Sequence, residues 1–228
     1  MDELTSHAFV LRAIEYGEAD RIVTLLTEQE GKVAMFARAA RKSIRRFGGG
    51  LEPFNRVRIR YHVRNGQLAT LASAEVLESF RRIPLDYDLI LWASYITELV
   101  AELIQEKEPS PELMQILEHA YRTLDSDGFA VASLPTRETW LATLELRILS
   151  IVGFEPVLDR CVSCGVTDAQ SFRLDPSAGG LLCRSCAPGG GPVLRNDSIR
   201  ILAASLLAPV GLTPLTAVQG DDAMAVRR

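Results

Sequence analysis

The chain has 228 residues, 47 % of them apolar and 24 % charged, with a formal net charge of −4. That length and balance suit one large or two to three small packed domains and argue against wholesale disorder. The opening Met1-Asp2-Glu3 lacks the apolar region of a secretory signal, and no apolar run is long enough to cross a bilayer, so a cytoplasmic protein is expected.

The net charge hides an asymmetry. Residues 31–64 carry ten bases, namely Lys32, Arg38, Arg41, Lys42, Arg45, Arg46, Arg56, Arg58, Arg60 and Arg64, against one acid, Glu52. The window is therefore +9 and the rest of the chain −13. Such segregation points to a polyanion site.

Five strands are predicted first, over His7–Ile14, Arg21–Thr27, Lys32–Arg38, Phe54–Val63 and Gln67–Glu75. Asn65-Gly66 has the chemistry of a tight hairpin turn. Five strands with turns fit a small barrel, and the five-stranded oligonucleotide-binding (OB) fold is one such barrel. In the fourth strand, Arg56, Arg58 and Arg60 alternate with Val57, Ile59 and Tyr61, so period two puts the arginines on one face. His62 shares that face. Between the third and fourth strands, Arg38, Arg41, Lys42, Arg45 and Arg46 precede Gly48-Gly49-Gly50. That loop reads as flexible or weakly helical, with the glycines as a hinge. Among the nearby aromatics Phe36, Phe47, Phe54 and Tyr61, Phe47 is expected to be the exposed one, available to stack on a base.

Helices follow. Leu89, Trp92, Ile96, Leu99, Val100 and Leu103 share one face. Ser110-Pro111 looks like a cap followed by a first-turn proline. A third helix is expected to start near Thr136 and to stop at Gly153 and Pro156. Residues 85–125 hold nine acids and two bases, a negative stretch. A last helix runs through Ile199, Leu202 and Leu206, with Asn196-Asp197 as its expected cap.

Cys161-Val-Ser-Cys164 and Cys183-Arg-Ser-Cys186 are 18 residues apart. Two such pairs match the spacing of a four-thiolate zinc site, with Phe172–Leu174 and Gly180–Leu182 as the short strands that bring the turns together. Four protein sulfurs would leave no position for water, so the metal would be structural. Buried free thiols or a redox pair are the competing readings. No phosphate loop, metalloprotease helix, nucleophile elbow or deaminase motif is present, so no enzyme is expected.

The order of motifs resembles the RecO family. The matching residues are Tyr16-Gly17-Glu18-Ala19-Asp20, Leu26-Thr27, Gly31-Lys32, the Arg38–Arg46 loop, Phe47, Leu51 and Pro53-Phe54. Tyr95 and Glu98 follow, then Glu145-Leu146-Arg147-Ile148-Leu149, Gly153, Pro156 and the first cysteine pair. The resemblance spans residues 5–190, and the tail from Thr213 to Arg228 departs from it. It implies an α+β multidomain fold: an OB-fold β-barrel over 1–80, a helical domain over 81–155, an inserted four-cysteine zinc finger over 156–190, and a C-terminal helix and tail over 191–228.

The resemblance further implies a recombination mediator that binds single- and double-stranded DNA, anneals complementary strands and helps load RecA onto strands coated by single-stranded-DNA-binding protein (SSB). RecR and the SSB C-terminal tail are the implied partners, and the nucleoid the implied location. Zinc would sit on Cys161, Cys164, Cys183 and Cys186. The expected DNA contacts are Lys32, Arg38, Arg41, Lys42, Arg45, Arg46, Arg56, Arg58 and Arg60. An OB zinc-ribbon module for RNA, a protein-docking module and a zinc-dependent hydrolase are the alternatives.

Overall fold

A computed structural model of the chain describes residues 3–63, 68–187 and 193–209. They group into two compact units, divided between Asp125 and Ser126. The expected Asn65-Gly66 turn and the tail beyond Pro209 lie outside the described residues.

In the first unit, β1 (Glu3–Tyr16), β2 (Asp20–Thr27), β3 (Gly31–Ala37), β4 (Arg56–His62) and β5 (Ala69–Glu78) close into a barrel of order β1-β2-β3-β5-β4. β1 pairs antiparallel with both β2 and β4, while β3 meets β5 in parallel. That is the closure of an OB barrel. β1 serves two neighbours because it is 14 residues long and slips register between Val10 and Arg12, which bends it. Alternation fills the inside with Val10, Val23, Leu25, Met35, Ile59 and Leu71. On β4 it buries Val57, Ile59 and Tyr61 and leaves Arg58 and Arg60 exposed.

A one-turn helix, α1 (Ile44–Phe47), lies between β3 and β4. After the barrel come α2 (Tyr87–Leu103) and α3 (Pro111–Leu124). The Asp86 carboxylate accepts from the Asp88 and Leu89 amides to start α2, and Ser110 Oγ accepts from Leu113 to start α3. Pro111 stands in the first turn, as its spacing predicts.

Tyr121 of α3 joins these helices to the barrel. Its fully buried ring meets Phe9, Phe54 and Phe80 at centroid distances of 5.6, 5.7 and 5.3 Å. Thr97 Oγ1 donates to the Ala93 carbonyl, so the Tyr121 hydroxyl donates to Thr97 Oγ1 at 2.6 Å. Burial pushes the phenol well above its ordinary value of 10. The unfolded phenol ionises near pH 10 while the folded one stays neutral, so this contribution is complete below that pH and is lost above it. Tyr121→Phe is expected to cost about 1 kcal/mol at neutral pH. It should also flatten the alkaline fall in stability, while Tyr121→Ala costs about 4 kcal/mol. Urea melts of the three proteins between neutral pH and pH ~11 check both statements.

The second unit holds α4 (Asp127–Val131), α5 (Leu134–Ile151), β6 (Phe172–Asp175), β7 (Gly180–Cys183), β8 (Val193–Leu194) and α6 (Asn196–Leu207). The strands form a sheet of order β7-β6-β8. Ala142, Leu146, Leu158, Phe172, Leu181 and Leu202 share its core. The buried Arg147 guanidinium donates to the Ser205 and Leu206 carbonyls, where α6 ends.

Two local expectations need correction, and one element escapes the sequence reading. α5 starts at Leu134, because Ser133 Oγ accepts from the Thr136 amide as its cap. α4 was not anticipated, since five residues carry too little periodicity to read. α6 begins at Asn196 without a side-chain cap, and Asn196 Nδ2 donates to the Ala169 carbonyl instead.

Candidate metal centre and nucleic-acid surface

Two turns bring the four cysteines together. In the first, the Gly165 amide donates to the Cys161 carbonyl at 2.9 Å, and Gly165 takes a φ of +77° that suits glycine. In the second, the Cys186 and Ala187 amides both donate to the Cys183 carbonyl at 3.0 Å. The β6–β7 hairpin carries the second turn to the first, and the Val162 amide donates to the Leu181 carbonyl to lock them. Gly180 is required there, because a Cβ would lie 2.6 Å from the Val157 carbonyl oxygen.

The four sulfurs lie within 4.8 Å of one another and form no disulfide. Sγ of Cys164 and of Cys183 are 3.7 Å apart. A tetrahedron with metal–sulfur bonds of about 2.3 Å has edges of about 3.8 Å. The Cys183 amide, then those of Cys164 and Ser163, hold Cys161 down to about 6 and favour its thiolate. The Val166 amide pulls Cys164 down, but hydrogens shared with Cys161, Cys186 and Cys183, together with burial, push it up to about 12. The donor set can hold a metal ion, and as four soft ligands it would close the coordination sphere.

The basic loop departs from its expectation. Phe47 is 2 % exposed and plugs the barrel core beside Leu51. The loop is braced rather than loose. The Ala39 amide donates to Asp20, the Arg41 amide to the Ala19 carbonyl, and the Arg46 guanidinium to Ser43 Oγ and the Arg38 carbonyl. Gly50 is packed in, since a Cβ would lie 2.9 Å from the Ala74 carbonyl oxygen, so the glycine run ends in a fixed contact and not a hinge. The other aromatics are also engaged: Tyr61 is buried, Phe36 packs edge-on against Tyr16, and Phe54 against Tyr121.

Apart from Arg46, which is half-buried and tied to Ser43 and Arg38, the eight other predicted cations fall into three groups. Arg38, Lys42 and Arg45 are exposed, with no ion pair among the described residues. Arg41, Arg58 and Arg60 are also exposed but reach Glu15, Glu75 and Glu3 at 3.4, 3.3 and 3.3 Å. Exposed pairs of this kind are weak and exchangeable. Lys32 and Arg56 are half-buried and committed. Lys32 Nζ donates to the Ala101 carbonyl at 2.6 Å, and Arg56 meets Glu118 at 3.0 Å and Glu28 at 4.0 Å. The adjacent Gly31, at φ +64°, lets the Glu108 backbone lie where a Cβ would sit, 2.1 Å from its carbonyl oxygen.

The barrel brings two sequence-distant sets together. Arg45 and Arg46 of the loop face Arg58 and Arg60 of β4 across a cleft of about 610 Å³, with Ser73 and Glu75 of β5 also lining it. The other five predicted cations do not line it. Glu52, the one acid within the basic window, pairs with Arg21. His62 faces Glu3 at 3.8 Å, and His7 faces Glu28 at 3.2 Å. Ser73, which hydrogen-bonds Arg60, and the exposed Ile44 were not singled out from the sequence.

Among the described residues no helix is long and apolar enough to cross a membrane. Two family models match: recombination protein O N terminal over residues 1–80, and recombination protein O C terminal over 84–216. The match therefore runs past residue 190, where the recognisable motifs stop. The chain is 38 % identical over 230 residues to the DNA repair protein RecO of Anaeromyxobacter dehalogenans (strain 2CP-C), covering 98 % of this chain and 88 % of the relative. It is 38 % identical over 206 residues to that of Myxococcus xanthus, covering 90 % and 80 %. With that of Geobacter sulfurreducens it shares 38 % over 203 residues, covering 89 % and 80 %. A five-stranded barrel, a following helical region and a cluster of four cysteines, matched over nearly the whole length, place the chain in the RecO family of recombination proteins.

Proposed function

We propose that this chain is a DNA-binding recombination mediator in DNA repair, and that it binds strands without turning over a substrate. The observation that carries this reading is the cleft in which Arg45 and Arg46 meet Arg58 and Arg60 on an OB barrel. Arg45 within it, and Arg38 and Lys42 of the same loop, are exposed with no carboxylate partner among the described residues. Phosphates can displace the exposed acids from Arg41, Arg58 and Arg60, and each cation engaged releases condensed counterions. Lys32 and Arg56 act from behind, holding the barrel to its helices.

Holding two strands neutralises their repulsion and raises their local concentration, which favours annealing without nucleotide hydrolysis. Zinc is the ion proposed for the four cysteines, as a structural pin. The working units are a barrel over 1–80, helices over 81–155, a finger over 156–190 and a C-terminal segment over 191–228. RecR, the SSB C-terminal tail and a place in the cytoplasm at the nucleoid complete the proposal, together with RecA loading.

Complementary oligonucleotides mixed with the chain, without ATP, are expected to anneal at least about tenfold faster than alone. A rate no faster than the spontaneous one would count against strand annealing.

A further inference from the structure

Charge does not account for Ile44. Its side chain is 85 % exposed at the start of α1, directly before Arg45 and Arg46. A single exposed aliphatic residue is ordinary on a protein surface. This one, however, lines the same cleft as Arg45, Arg46, Arg58 and Arg60.

Its position is also held. Phe47 anchors the far end of α1 in the barrel core, and the Gly48 amide closes the turn onto the Ile44 carbonyl at 2.8 Å. Arg46 ties the same turn to Ser43 and Arg38. Branching at Cβ restricts the isoleucine's own rotation, so the apolar group is presented stiffly.

An isoleucine offers nothing to a phosphate. It gains only by leaving water against another apolar surface. On a strand whose backbone is held by the surrounding cations, the faces of the bases are that surface. Aliphatic side chains act as wedges between base steps in other nucleic-acid complexes.

Resting on the DNA-binding reading above, we propose that Ile44 inserts against the bases of a strand bound in this cleft and breaks their stacking. The cations fix the backbone while the wedge separates neighbouring bases. Unstacked bases are then open to pair with an incoming complementary strand.

The test uses the full-length, metal-loaded protein and a single-stranded oligonucleotide carrying 2-aminopurine, whose fluorescence rises when its neighbours unstack. Wild type is expected to brighten the probe on binding. Ile44→Ser should bind without brightening it, with affinity lower by about tenfold and an unchanged salt slope. Ile44→Leu should restore the signal. The side chain is mostly exposed, so circular dichroism of each variant should match wild type.

Brightening by Ile44→Ser equal to wild type overturns the wedge. So does wild-type binding with no brightening, which leaves the DNA-binding reading standing. A reduced salt slope in Ile44→Ser overturns it too, since the residue would then act through phosphate contacts. Failure of wild type to bind the strand sinks both proposals together.

Discussion

Chelating the zinc proposed for the four cysteines is expected to melt residues 157–187 and leave the barrel folded. Four sulfurs within 4.8 Å of one another hold two turns that otherwise meet through a four-residue hairpin and a few backbone hydrogen bonds. Cys161 and Cys183 belong to a core shared with Leu158, Phe172 and Leu181, so losing the ion also opens that core. Metal binding by such segments is folding free energy, because the ligands are not assembled in the unfolded chain. Amide exchange in β6, β7 and the two cysteine turns should therefore accelerate by about a thousandfold with chelator. Exchange in β1 to β5, which belong to a separate compact unit, should stay the same. Cys161→Ser should reproduce the effect without chelator. Equal protection of the finger with and without metal would contradict a structural role.

The parts of this molecule governed by local rules are legible in its sequence. Alternation located all five barrel strands, because one face of each is buried and period two then shows in composition. Ser110-Pro111 marked the start of α3, because capping chemistry is short-range. The paired cysteines announced their cluster by spacing alone.

What escaped depended on closure. Nothing near Arg56 in sequence indicates that its carboxylate partner is Glu118, 62 residues later, on α3. Arg45 and Arg46 looked like a set separate from Arg58 and Arg60 until the barrel brought them to one cleft. Phe47, expected on the surface, is buried, and Ile44, to which the sequence assigns no role, is the exposed apolar residue of that turn. A one-turn helix has no periodicity to read, so which apolar residue faces the core is decided by the barrel beneath it. Asn196 has the chemistry of a cap, but the Ala169 carbonyl claimed its side chain.

The commitment of the half-buried Lys32 and Arg56 to the helices gives the charge argument a built-in control. Lys32 is hydrogen-bonded to the end of α2, and Arg56 is ion-paired with α3. Arg38, Lys42 and Arg45 are exposed without such ties among the described residues. Replacing the exposed three should cost binding, whereas replacing the committed two should cost stability. On single strands each lost phosphate contact lowers the log–log salt slope by about 0.7, so the triple variant should lose up to about 2. Affinity near physiological salt should fall by about a hundredfold.

The deciding measurement is the salt dependence of single-stranded DNA binding by metal-loaded wild type, by Arg38→Ala/Lys42→Ala/Arg45→Ala and by Lys32→Ala/Arg56→Ala. A polyanion site on the barrel predicts a flatter slope for the triple variant and a wild-type slope for the double. A triple variant with the wild-type slope would contradict it.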